Sequence, residues 1–327
     1  MITLEPVDRL EIQILVDNAT DGLSSVPSFV ETEFAYHWRR GMKALGGPCL
    51  CCAAHGLSCL VTATRNGVSR TLLFDTGPDA DVFQRNVRLL QTDLATVDAM
   101  VLSHGHWDHA GAMPLALDLI RGGASDRKIP VYMHPDMFRS RAMRAPDGSM
   151  RPFMDIPSVE DLEAHGGEVH LTRTADAVLE GMFLISGEIP RVTPFERGMP
   201  GQYRRTVDGQ DWEPDPLLMD ERSVAVHVRG KGLVVFSACS HAGIVNVLRF
   251  AREQLPDIPI LCAMGGFHLS GENEMIIPET VEALRGFDIA TIAAGHCTGW
   301  RALTALANAF GPGVLAPLAV GKRYVFE

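Results

Sequence analysis

Apolar residues along this chain fall into short runs, and each run closes on a polar, glycine-rich turn. Residues 11–17 read as a first strand that ends at Asn18. Residues 60–64 and 71–75 form two further strand patterns, with Asn66-Gly67 between them as a hairpin turn. Pro78 to Leu90 then has helical spacing at Val82, Phe83, Val87 and Leu90. The pattern continues with a strand at 99–102, a helix at 111–120 stopped by Gly122-Gly123, and a short strand at 130–135. After residue 220 regularity returns. Strands are expected at 223–228, 232–236, 259–263, 289–294 and 320–326, with helices at 244–252, 278–284 and 300–310. Residues 19–47 have a weak pattern and read as a loop or a lid.

One turn is unlike the others. Ala99-Met100-Val101-Leu102 runs directly into Ser103-His104-Gly105-His106-Trp107-Asp108-His109. Three imidazoles and one carboxylate in six residues are costly to place at a strand end without a metal to pair them. Imidazole and carboxylate together suit zinc, iron or manganese. Along an extended segment His104, His106 and Asp108 share one side, and His109 comes round as the chain turns. That geometry can serve two adjacent metals. The same unit (apolar strand, histidine in a turn, helix) recurs at His241, His268 and His296. Strand ends are where α/β proteins assemble sites from distant sequence, so these histidines are expected to converge.

Length and charge narrow the picture. At 327 residues, with 46% hydrophobic and 21% charged residues, the chain has ordinary globular composition. We expect one domain over residues 1–327, with an irregular substrate-side insertion at about 136–220. A net charge of −11 argues against nucleic acid and against an acidic membrane surface as partners. No run approaches the length of a bilayer-spanning helix, and the amino terminus lacks the features of a signal peptide. Seven scattered cysteines do not suggest a disulfide framework. A soluble, cytoplasmic protein acting on a small molecule is expected. Cys49 and Cys52 have the spacing of half a zinc site, but no second half follows, and reduced thiols are the default reading.

Several further stretches carry a family resemblance. They are Leu15-Val16-Asp17-Asn18, His55-Gly56-Leu57-Ser58, Phe74-Asp75-Thr76-Gly77, Cys239-Ser240-His241-Ala242-Gly243, Gly265-Gly266-Phe267-His268 and Gly295-His296-Cys297-Thr298-Gly299. With the His104-x-His106-x-Asp108-His109 motif, they make the chain resemble the metallo-β-lactamase fold superfamily. The finer pattern resembles its branch of metal-dependent hydrolase-like proteins related to the dihydropterin ribofuranosylaminobenzene phosphate synthases. The resemblance spans roughly residues 11–300 and weakens over 136–220.

The resemblance implies an α/β fold, a four-layer αββα sandwich of two mixed sheets, with a binuclear metal site at one edge. It implies two divalent ions, zinc first and iron or manganese as alternatives. His104 and His106 match ligands of the first ion, Asp108 and His109 those of the second, and His296 the last histidine. Asp75 matches an aspartate that braces the metal loop. The chain departs from the pattern where many members carry a bridging aspartate, because here the strand ends in Cys239-Ser240-His241. His241 is expected to ligate, and Cys239 is an alternative ligand. Asp108 and His268 are the candidate catalytic residues, with His268 contacting substrate.

The expected reaction is hydrolysis of an ester, lactone, thioester or phosphoester by metal-activated water. The resemblance keeps open a pterin-pathway synthase, and a metal-binding protein without turnover is a third reading. His55, Arg139, Arg141 and Arg144 are candidate substrate contacts, the arginines for an anionic group.

Overall fold

The computed structural model describes residues 2–124 and 126–327. Two large sheets face each other. Eight strands make the first, in the spatial order Val30–Glu31, Arg323–Phe326, Arg9–Val16, Ser58–Arg65, Val68–Phe74, Ala99–Val101, Ile129–Met133, Gly167–Leu171. Six make the second: Asp176–Val178, Phe183–Ile185, Ser223–Val228, Gly232–Ser237, Ile260–Gly266, Thr291–Gly295. Each sheet is antiparallel at one end and parallel at the other, so both are mixed.

Period-two alternation decides what each face meets. In the first sheet Leu72, Phe74, Ala99 and Val101 point into the core between the sheets, while Leu73 and Met100 point to an outer helical layer. In the second, Val234 and Phe236 point inward, and Leu233 and Val235 pack under helices Ile244–Gln254 and Ile277–Arg285. Phe74 and Phe236 meet edge-on across the inner core, with centroids 6.4 Å apart. The result is a four-layer αββα sandwich, as the resemblance implies. No helix among the described residues is long and apolar enough to cross a membrane.

Parallel strands joined through helices end at the same edge. The strands before His241, His268 and His296 run parallel in the second sheet. The Ala99–Val101 strand runs parallel to Val68–Phe74 in the first. This topology delivers the histidine-bearing turns to one place.

Two stretches differ from their sequence expectation. Residues 136–220, read as an irregular insertion with strand-like pieces near 169–171 and 182–185, hold more strand than that. Gly167–Leu171 extends the first sheet, and Asp176–Val178 and Phe183–Ile185 extend the second. Much of the remainder folds into a third, four-stranded sheet: Trp212–Pro214, Gln202–Arg205, Arg141–Arg144, Met150–Pro152. Strands of three to five residues, rich in charge and proline, present too few alternations to register as strands. Residues 19–47, read as a loop or lid, contain the helix Glu33–Arg39, whose Tyr36 hydroxyl donates to the Leu90 carbonyl at 2.9 Å in the core.

Candidate metal centre

The centre begins with Asp75, which ends the Val68–Phe74 strand in the left-handed region at φ 59°. Its fully buried carboxylate reaches across to the neighbouring turn. Oδ1 accepts the Ser103 backbone N–H at 2.8 Å, and Oδ2 accepts the Ser103 hydroxyl at 2.7 Å. The same Oδ2 lies 2.7 Å from His109 Nδ1. Ser240 (φ 55°), His268 (φ 43°) and His296 (φ 47°), at the ends of the second-sheet strands, are also left-handed. Such residues cost roughly 1–2 kcal/mol each unless the surroundings hold them. Four at one edge, each beside a candidate ligand or being one, mark this edge as built for something other than stability.

Four of the rings have one nitrogen turned outward onto an oxygen. His104 Nδ1 meets Ser103 Oγ at 2.9 Å, and His106 Nε2 meets Gln202 Oε1 at 2.7 Å. His109 Nδ1 meets Asp75, and His296 Nδ1 meets Asn18 Oδ1 at 2.9 Å. Ser103 already donates its hydroxyl hydrogen to Asp75, so it accepts from His104. An acceptor on each outer side assigns a ring proton there and, in the neutral ring, leaves the inner nitrogen with a lone pair. The inner atoms converge. His104 Nε2 and His106 Nδ1 are 3.0 Å apart. His241, 2% exposed, has no hydrogen-bond partner at either nitrogen.

The donors gather into two principal sets: His104, His106 and His241, and Asp108, His109 and His296. In each set the ligand atoms lie within 4.8 Å of one another. Lone pairs facing each other in a buried site repel, and an orphaned buried imidazole is costly. A cation in each set relieves both. Outward oxygen partners are also what ligating histidines characteristically have, since they fix the tautomer and ring orientation. The residues therefore fit divalent metals.

The protonation states agree. Burial, reinforced by neighbouring rings, holds His104 and His241 well below the usual imidazole value. Burial brings His106 and His296 down to about 4. These rings are neutral at pH 7, the form that ligates. In His109 burial acts in the same direction, but the Asp108 and Asp75 carboxylates outweigh it and raise the ring to about 9. Burial would raise Asp108, yet His109 and His296 hold it below the usual carboxylate range.

Asp220-Glu221-Arg222, immediately before the Ser223–Val228 strand, ties the two ligand-bearing edges together. Asp220 Oδ2 accepts the Gly105 N–H at 3.0 Å, and the Arg222 N–H donates to the Ser103 carbonyl at 2.7 Å. Glu221 spans the backbone of the other edge, accepting the N–H groups of His241 at 2.7 Å and Ala242 at 2.5 Å. Burial pushes the Glu221 carboxyl up to about 7, against the pull of Arg191 and these two N–H groups. Asp17 Oδ1 performs the same service for the His296 N–H at 2.9 Å. At Gly105 a Cβ would collide with the Met137 carbonyl and the Arg141 guanidinium. Only glycine lets the loop lie this close to its support.

The donors open into a cleft of about 400 Å³ walled by Trp107, Phe153 and Met199. His55 stands at its mouth, with Nε2 3.3 Å from Asp108 Oδ2. His268 lines it beside His241, their ring centroids 4.3 Å apart. Cys239 is buried between His109 and His296.

The three arginines expected to meet substrate lie elsewhere. Arg141 is buried against Asp220, Nη2 to Oδ2 2.7 Å. Arg139 donates to Glu213 at 2.7 Å. Arg144 donates to the Tyr203 hydroxyl at 3.2 Å, on the exposed side of the third sheet. Carboxylates of the same small sheet or its approach pair with the first two, and no lysine or arginine lines this cleft among the described residues. The Cys49/Cys52 pair belongs to no ligand cluster among the described residues.

Sequence reasoning missed Gln202, Phe153, Met199 and the Asp220-Glu221-Arg222 run. That run carried a usable signal, because three charges directly before a largely buried strand must be either paired or at a site.

Comparison with known proteins gives a consistent picture. A beta-lactamase superfamily domain profile matches residues 70–173. The chain is 30% identical over 253 residues to the 7,8-dihydropterin-6-methyl-4-(beta-D-ribofuranosyl)-aminobenzene-5'-phosphate synthase of Methanocaldococcus jannaschii, covering 76% of this chain and 82% of that protein. It is 28% identical over 265 residues to an uncharacterized protein of the same archaeon, covering 78% and 88%. Among solved structures, a metal-dependent hydrolase of the beta-lactamase superfamily superposes with a TM-score of 0.70 at 21% identity, covering 97% of this chain and 98% of that one. A metallo-beta-lactamase fold protein of Bacillus subtilis superposes with a TM-score of 0.51 at 11% identity, covering 98% and 100%.

Proposed function

The chain belongs to the metallo-β-lactamase superfamily, and from that premise we propose that it is a metal-dependent hydrolase of small esters, lactones or thioesters. The observation that carries the reading is the pair of inward-facing donor sets at the floor of the cleft. His104, His106 and His241 would hold one ion, and Asp108, His109 and His296 a second, with zinc the first choice for imidazole and carboxylate. When filled, such sites supply a water ionised near neutral pH and a polarised substrate oxygen.

The chain's own groups do the rest. The Asp108 carboxylate, held by His55 Nε2 at 3.3 Å from its Oδ2, accepts a hydrogen bond from the water and sets its direction. His268 lines the cleft beside His241, and its imidazole meets a substrate oxygen. Trp107, Phe153 and Met199 pack on an apolar part of the substrate and exclude bulk water. With no lysine or arginine in the wall among the described residues, an anionic group would have mainly the metal positions to meet, and this favours neutral esters and lactones over phosphoesters.

The test is a panel of esters, lactones, thioesters and phosphodiesters with zinc-loaded protein. Neutral acyl substrates should turn over, and Asp108→Asn should lower kcat at least a hundredfold. A second reading, synthesis in a pterin pathway, is favoured by the 30% identity to the archaeal synthase. Consumption of a pterin-type precursor with every ester untouched would replace the first reading with the second.

A further inference from the structure

Cys239 follows the Gly232–Ser237 strand and is 3% exposed. Its Sγ lies 3.3 Å from His109 Nε2 and 3.2 Å from His296 Nε2. Asp108 Oδ2 lies 3.5 and 3.6 Å from the same two nitrogens. The outer nitrogens of both rings are committed, to Asp75 and to Asn18. In the neutral form that ligates, both inner nitrogens are therefore acceptors. A thiol has one hydrogen and can satisfy one of them, which leaves the other lone pair against sulfur.

A cation among these atoms satisfies both. Zinc bonds of about 2.0–2.1 Å to nitrogen and about 2.3 Å to sulfur put neighbouring ligand atoms roughly 3.3–3.7 Å apart. The four separations around His109 and His296 fall at or just below that range. The sulfur is also within 4.8 Å of the His104 ligand atom, which belongs to the other donor set.

We propose that Cys239 is a thiolate ligand of the centre, placed where the two imidazole sets meet. On binding, the metal–sulfur bond forms as the S–H proton passes to solvent. His241 keeps its role, so the turn Cys239-Ser240-His241 supplies two ligands of different softness. Sulfur ligation biases the centre toward zinc, iron or cobalt and away from magnesium or calcium. The inference rests on the metal-binding half of the functional reading and not on hydrolysis.

The test adds cobalt(II) alone to chelated full-length protein and records the electronic spectrum. A near-ultraviolet sulfur-to-cobalt charge-transfer band should grow with bound metal in the wild type. It should fall at least tenfold in Cys239→Ser and Cys239→Asp and persist in Cys297→Ser, whose sulfur lies within 4.8 Å of the Cys239 sulfur but donates to the Cys239 carbonyl at 3.5 Å. The aspartate variant keeps the measurement usable if serine at this position fails to fold. Loss of cobalt binding in both Cys239 variants, with circular dichroism showing folded protein, also supports the proposal, since no imidazole was altered. A wild type that binds no cobalt, or binds it without the band, overturns it. So does a band that survives both Cys239 variants or disappears with Cys297→Ser. Because the readout is spectroscopic, a band without turnover would defeat hydrolysis and leave the ligand assignment standing.

Discussion

His104 Nε2 and His106 Nδ1 lie 3.0 Å apart in a buried pocket, and each ring donates its other N–H to an oxygen behind it. Different nitrogens of the two rings therefore face inward, one through its distal edge and one through its proximal edge. Gln202 is what sets the second choice, from 96 residues away in sequence. The consequence is that metal affinity depends on residues that never touch metal.

Gln202→Leu removes the acceptor behind His106 and leaves its tautomer and rotation unfixed. Zinc affinity, measured by competition with a chromophoric chelator, should fall about 10- to 100-fold. The chelated protein should lose only about 1 kcal/mol in urea unfolding. Equal losses in both would mean that Gln202 is merely structural.

Asp220 pairs with buried Arg141 and accepts the Gly105 N–H. Asp220→Asn leaves Arg141 without its main counter-charge and should cost about 3–5 kcal/mol of stability. In the double variant Arg141→Met, Asp220→Asn most of that cost should return, because the unpaired charge is gone. Urea unfolding of the four proteins gives the cycle, and strict additivity would contradict the assignment.

The pH dependence of metal binding follows from the Cys239 proton released on ligation and from His109, whose ring is raised to about 9 in the metal-free site. Below that value a proton must leave before the ring can ligate, so affinity rises as pH rises from 7 toward 9. His106 and His296, at about 4, are already neutral and add nothing in this window. Asp75 is one of the carboxylates that raise His109, so Asp75→Asn should move the rising limb to lower pH. Chelator competition at pH 7, 8 and 9 reads the slope, and a flat profile would refute the argument.

Met199 and Phe153, whose ring stands edge-on to His106 with centroids 5.4 Å apart, wall the cleft. Phe153→Ala or Met199→Ala should raise KM about tenfold for substrates with an apolar acyl group and leave kcat nearly unchanged, as expected for packing that does not change between ground and transition states. A kcat effect larger than the KM effect would place these side chains nearer the reaction.

The sheets and helices around the core were legible because their strands alternate cleanly and end in turns with a mechanism of their own. Asn66-Gly67, with φ values of 50° and 78°, is one such turn. The donors were legible because histidine recurs after apolar runs. What supports the donors was not. Gln202 lies in a four-residue strand whose partners are equally short, and nothing in its neighbours distinguishes it from a surface glutamine. The arginines misled for a related reason. Sequence shows Arg139 and Arg141 as unpaired charge, whereas Glu213, Asp215 and Asp220, some seventy to eighty residues on, fold back to neutralise them.

The most direct test of the account is a metal titration of hydrolysis. Protein stripped by a chelator and assayed on a neutral lactone or aryl ester should be inactive. Turnover should return with added zinc, in step with occupancy of the two donor sets, and should not return in His241→Ala. Hydrolysis that persists after complete metal removal, or no hydrolysis of any panel substrate by fully loaded protein, would contradict it.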